Sequence, residues 1–161
     1  MRLVTWNCSR GPFQTKIDLL RPLRADVAVV QECPRPPAES DQCLWFGDNP
    51  NKGIAVVTAG LYRLHRMQLL DDVPKFVIPI RVTGPQADFI LFAVWSKAGQ
   101  RHRYVRAVVE AVKMYRLTFE AGPTVLMGDL NANAIWDNEH PEDRNHTALV
   151  TLLDGLGMSS A

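Results

Sequence analysis

Thr124-Val125-Leu126-Met127-Gly128-Asp129-Leu130-Asn131 is an apolar run that ends abruptly in a carboxylate and a carboxamide. Its brevity and lack of helical spacing predict a buried strand over residues 123–128, with Asp129 and Asn131 delivered to the strand's carboxyl end. Two segments far upstream share this design. Residues 2–8 alternate apolar and polar side chains, which predicts a strand ending at Asn7 before the Ser9-Arg10-Gly11-Pro12 turn. Residues 26–32 contain Val27-Ala28-Val29-Val30 and end at Glu32. Three strands therefore each present polar side chains at a carboxyl end, a pattern that asks for one explanation.

Chemistry supplies one. A hard cation such as Mg²⁺ takes oxygen ligands, keeps several waters, and needs only one or two carboxylates beside substrate phosphate oxygens. Glu32 with Asn7 meets that need. In phosphoryl transfer a second carboxylate aligns or deprotonates the attacking water, which suits Asp129. An amide such as Asn131 can donate to a nonbridging phosphate oxygen without adding negative charge.

The ordered set Leu3-Val4-Thr5-Trp6-Asn7, Val29-Val30-Gln31-Glu32, Gly53-Ile54-Ala55-Val56 and Met127-Gly128-Asp129-Leu130-Asn131 resembles the successive motifs of the endonuclease/exonuclease/phosphatase superfamily. The resemblance runs over residues 2–158, and the order is far more specific than any single piece. It implies an α+β fold: a two-sheet β-sandwich flanked by helices, four-layer αββα and DNase I-like, in one domain over residues 1–161. It further implies hydrolysis of phosphomonoesters or phosphodiesters with Mg²⁺ or Mn²⁺. Glu32 and Asn7 match the metal positions, Asp129 and Asn131 the catalytic pair, and Asn131 and Asn7 the phosphate-binding positions.

The match has gaps. The family's late Asp-Tyr and Ser-Asp-His motifs have no counterpart here, so the sandwich is expected to be incomplete at its C-terminal end and to hydrolyse little by itself. A general acid-base group is typically worth 10²- to 10⁴-fold. Ala93-Val94-Trp95-Ser96 stands where many members carry a Thr-His pair, and Trp95 reads as a core residue in preference to a stacking one. His140 and His146 read as loop and helix-start residues outside the site, and His65 and His102 as surface residues. The expected partners are a phosphoester substrate, nucleic acid included, and a second copy of the chain through an unpaired sheet edge. A noncatalytic binding or assembly module is the alternative.

The remaining elements follow from spacing. Phe13, Ile17, Leu20 and Leu23 predict a helix over residues 13–23. Residues 33–52 read as a long excursion with at most one short strand, in which Trp45 and Phe46 either cover substrate or cap a sheet edge. Residues 53–58 form a compact strand, and 62–70, 75–83 and 87–96 read as successive antiparallel strands. Residues 101–120 predict a helix with Val105, Val108, Val109, Val112, Tyr115 and Leu117 on one broad face, and its basic start, Arg101 to Arg106, reads as a solvated first turn in preference to a phosphate-binding patch. Asn145 can cap a last helix.

Composition excludes some classes. The chain has 161 residues with 18 Lys plus Arg against 17 Asp plus Glu, so no strong basic balance marks a nucleic-acid coat protein. Cys8, Cys33 and Cys43 match no zinc spacing and read as reduced thiols. The longest apolar stretch, residues 89–95, is too short to cross a bilayer, and a soluble cytoplasmic protein with no membrane partner is expected.

Overall fold

The computed structural model describes residues 1–97 and 103–160. Eight strands form two four-stranded sheets: β1 (Leu3–Asn7), β2 (Val27–Cys33), β4 (Lys52–Thr58) and β3 (Cys43–Asn49) in that spatial order, and β5 (Arg63–Arg66), β6 (Val77–Thr83), β7 (Phe89–Trp95) and β8 (Thr124–Asp129). Each sheet has one parallel pair, β1 with β2 and β7 with β8, and antiparallel pairs elsewhere. Parallel neighbours need a crossover. Helix α1 (Phe13–Leu20) supplies the first, and α2 (Val105–Met114) with α3 (Arg116–Glu120) supplies the second. The last helix is α4 (His146–Asp154).

Period-two alternation along β2 sorts its side chains between two cores. Val27 and Val29 face the second sheet, where they join Ile54, Val56, Ile80, Val82 and Leu91, all inaccessible to solvent. Ala28 and Val30 face the other way, towards Leu20 of α1. The outer face of the second sheet packs Phe92 and Val94 against Val105, Val108 and Val112 of α2, with Leu149 of α4. Phe92 stacks on Phe119 at 4.3 Å and meets Tyr115 edge-on at 5.3 Å. The resulting layers are helix, sheet, sheet and helices, as the motifs imply.

Several boundaries differ from the sequence reading. The excursion at 33–52 contains a seven-residue strand, β3, which forms a hairpin with β4. Its Gly47, Asp48 and Asn49 are turn-type residues, and the ladder with β4 is irregular there, resuming at the Asn49–Lys52 pair. The strand expected over 62–70 is confined to Arg63–Arg66. The long helix breaks at Tyr115, whose hydroxyl accepts the backbone N–H of Leu70 at 3.2 Å, and beyond the break Leu117 leaves the expected buried face and is exposed. Residues 101 and 102, and with them His102 and the start of the basic stretch, lie outside the described residues. Asn145 caps α4 as expected, its Oδ1 accepting the Ala148 N–H at 2.8 Å.

Candidate active site

Asn7, Glu32 and Asp129 meet at one end of the sandwich because β1, β2 and β8 all finish there. The parallel register pairs Asn7 with Gln31 and Trp95 with Asp129. Asn7 Nδ2 donates to Asp129 Oδ2 at 2.8 Å and lies 3.4 Å from Glu32 Oε1, so one amide links carboxylates of two different sheets. Its Oδ1 accepts the Ser9 N–H at 3.1 Å, which turns the amide nitrogen towards the carboxylates.

Glu32 arrives by a special route. Gln31 pairs with Ile54 and Cys33 with Gly53, leaving Glu32 as the extra residue of a β-bulge, with φ 57°. A left-handed conformation costs a residue with a Cβ roughly 1–2 kcal/mol. The backbone beyond β1 holds it in place: Cys8 N–H bonds to Gln31 O at 3.0 Å and Arg10 N–H to Glu32 O at 3.1 Å. The bulge swings the carboxylate out of the β2 alternation and towards Asn7.

Asp129 depends on the residue before it. Gly128 has φ 150°, and a Cβ there would stand 2.0 Å from Val94 O. Only glycine lets β8 approach β7 this closely. Asn131, also left-handed at φ 44°, donates from Nδ2 to Ser96 O at 2.6 Å, while its backbone N–H bonds to Asp129 Oδ1 at 3.1 Å. Its backbone orients Asp129, and its amide ties the loop to the end of β7.

Two lysines enter the site without a motif to announce them. Lys52 Nζ lies 3.2 Å from Glu32 Oε2 and 5.0 Å from the Trp95 ring. Lys97 Nζ rests 4.6 Å from Trp95 and 4.2 Å from Phe76. Burial holds the Lys97 ammonium below its ordinary pKa; Asp48 and Glu32 oppose that shift, while Lys52 and Lys75 add to it. Lys52 could be found only from topology, since the first residue of an antiparallel strand lies beside the last of its neighbour. Trp95 is 2% exposed and is a core residue, as expected, yet both ammonium groups also lie within 5.0 Å of its ring centroid.

The donor set suits a hard divalent cation. Two carboxylates converge on the Asn7 nitrogen, while the Asn7 oxygen, the amide atom able to ligate a metal, is held by the Ser9 N–H, and the Lys52 ammonium shows that positive charge is accommodated against Glu32. Among the described residues no group of three or more His, Cys, Asp or Glu side chains could hold a metal alone, so a cation there would rely on water and substrate oxygens. The thiols offer no alternative. Burial pushes Cys33 to about 12 and Cys43 to about 11, and raises Cys8 too.

The described histidines lie elsewhere. His65 is exposed and pairs with Thr83 Oγ1 at 2.9 Å, while the buried Nδ1 atoms of His140 and His146 have no partner among the described residues. Trp45 caps the sheet, its Nε1 donating to Cys33 O at 3.1 Å. Phe46 is half-buried beside an open cleft of about 450 Å³ lined by Arg35, Asp48, Arg66, Lys75 and Phe76.

No protein-family model and no curated protein sequence matches the chain. Solved structures do. The endonuclease domain of TRAS1, a telomere-specific non-LTR retrotransposon, superposes with a TM-score of 0.63 at 17% identity, covering 96% of this chain and 71% of that one. The 3'-5' exonuclease NExo from Neisseria meningitidis gives 0.58 at 20% identity, covering 97% and 71%. An endonuclease/exonuclease/phosphatase family protein from Leptotrichia buccalis gives 0.54 at 15% identity, covering 98% and 73%. The two four-stranded sheets, their flanking helices and these superpositions together show that the chain has the endonuclease/exonuclease/phosphatase, DNase I-like fold.

Proposed function

We propose that this chain is a phosphoester hydrolase of the nuclease or phosphatase type that binds Mg²⁺ or Mn²⁺ at Glu32 and takes nucleic acid as its substrate. The observation that carries this reading is the Asn7 amide between Glu32 and Asp129, which brings two carboxylates from separate sheets to one exposed point. A cation bound there would neutralise charge on a phosphate. Asp129 holds the attacking water and accepts its proton. Asn7 keeps the two carboxylates apart in role, and the Asn131 backbone fixes the rotamer of Asp129. Neighbours of this fold that are themselves an endonuclease domain and a 3'-5' exonuclease support the substrate class.

Turnover by these residues is slow in this reading. None of the described histidines hydrogen-bonds to Asp129 or Glu32, so none of them supplies acid-base assistance, which is typically worth 10²- to 10⁴-fold. Calorimetric titration with Mn²⁺ tests the site. Wild type should bind and Glu32→Ala should not; equal heats from both would remove the metal reading.

An assembly role is favoured by a separate observation. β1 and β8 are the outermost strands of their sheets, each paired on one side only among the described residues, and Val125, Leu126 and Met127 are only half-buried. Unpaired apolar edges promote association. Light scattering should show mass rising with concentration, and a constant monomer mass would dismiss the idea.

A further inference from the structure

Lys97 is anomalous for a lysine. Its ammonium lies over two aromatic rings, its stem is half-buried, and it makes no ion pair with any described carboxylate. Lys52 and Lys75, by contrast, are paired with Glu32 and Asp48. An ammonium has three donors and no acceptor. The Trp95 and Phe76 rings satisfy its charge in part, and its N–H groups have no hydrogen-bond acceptor among the described residues.

Its position matters. Lys97 follows Ser96, whose backbone N–H bonds to Asp129 O at 2.9 Å and whose carbonyl accepts the Asn131 amide. Lys52 shares the Trp95 ring and reaches Glu32. The two ammonium groups therefore share the Trp95 ring, and Lys52 carries the pair to Glu32. Phe76, beside Lys97, also lines the cleft where Lys75 and Arg66 stand.

We propose that Lys97 and Lys52, seated on Trp95, form a second anion subsite that binds a phosphate next to the one cleaved, so the substrate carries at least two phosphoryl groups. The proposal rests on the phosphoesterase reading above and extends it to substrate class. Trp95 and Phe76 fix the Lys97 ammonium in place, which lowers the ordering cost of gripping an anion. Lys52 joins it whenever a cation occupies Glu32 in its stead. The cleft beyond Phe76 has room for the remainder of a strand, whereas a small bisphosphate would fill the subsite alone.

Binding without turnover provides the test. A short fluorescein-labelled oligothymidylate is titrated into the full chain in EDTA and followed by polarisation, with inorganic pyrophosphate as the second probe. Lys97→Met keeps the stem over the rings and removes the charge. It should weaken oligothymidylate binding about tenfold at low salt and reduce the log-log salt slope by roughly 0.7, while Lys97→Arg stays within about twofold of wild type. Loss confined to pyrophosphate would assign the subsite to small bisphosphates. Unchanged affinity for both probes in Lys97→Met overturns the subsite. Should that variant fail to fold, Lys97→Gln decides, and no loss there overturns it equally. A parallel Mn²⁺ titration separates the two ideas. Metal binding with no lysine dependence defeats the subsite alone, and lysine dependence without metal binding defeats the metal reading alone.

Discussion

The two long edges of this sandwich are closed by different means. At one edge, β3 and β5 are stitched by charge. Glu39 accepts the Trp45 N–H at 3.1 Å and pairs with Arg66 and Arg35, while Arg66 also bonds to Trp45 O at 3.0 Å and lies 4.4 Å from the Phe46 ring. Arg63 and Asp41 add a second tie at 3.1 Å. At the other edge, β1 and β8 are joined across the sheets by the Asn7 amide on Asp129. The first edge is sealed by opposite charges. The second gathers two carboxylates around one neutral amide, with Lys52 as the cation paired to Glu32, an arrangement of like charges that costs stability.

The largest expected effect breaks the second edge. Gly128→Ala forces a Cβ to within 2.0 Å of Val94 O and should cost at least about 3 kcal/mol by urea denaturation. A loss below about 1 kcal/mol would show that β7 and β8 can part freely. Glu39→Ala breaks the sealed edge by leaving the N–H of buried Trp45 without an acceptor, and should cost about 2 kcal/mol. Asn7→Ala should scarcely change stability yet weaken Mn²⁺ binding at least about tenfold, because it frees the two carboxylates from their shared donor. Undiminished metal affinity would reduce Asn7 to a structural amide.

Smaller effects sharpen the contrast. Glu32→Gly should be about 1 kcal/mol more stable than Glu32→Ala, the reverse of the usual order, since only glycine adopts φ 57° without strain. The usual order at this position would mean that the bulge relaxes. The pH dependence of the sealed edge is smallest and has a fixed sign. Burial would raise Glu39, but the Trp45 N–H and Arg66 outweigh it and bring the carboxyl below its ordinary 4.5. A depressed carboxylate contributes stability in full above that ordinary value and loses it as pH falls through the lower folded value. Glu39→Gln should therefore flatten the acid limb of stability measured by thermal unfolding, and an unaltered limb would place the acid sensitivity elsewhere.

Much of this architecture was legible in order and period. Alternation identified β1, a β-branched run β2, and apolar runs β4, β7 and β8, and the sequence of Trp-Asn, Gln-Glu and Gly-Asp-Leu-Asn pointed to the sandwich before any strand was paired. β3 was underestimated because Gly47, Asp48 and Asn49 carry turn propensity, and a hairpin partner outweighs propensity. The helix break at Tyr115 was hidden by an uninterrupted apolar face, since a hydroxyl reaching Leu70 leaves no mark on local periodicity.

The site divides in the same way. Asn7, Glu32, Asp129 and Asn131 could be named from the sequence because strand-end position and donor type are local properties. Their meeting was not local: β1 and β8 belong to different sheets, and Glu32 faces Asn7 only because β2 bulges against β4. Lys52 and Lys97 were missed for the same reason. A lysine at a strand terminus is ordinarily a solvated charge, and these two become site residues because antiparallel pairing and the buried Trp95 bring their ammonium groups together. The sequence alone determined which chemical groups are present and in what order. Tertiary structure decided which groups share a charge, because Coulomb interactions act through space between residues that the chain separates by whole strands.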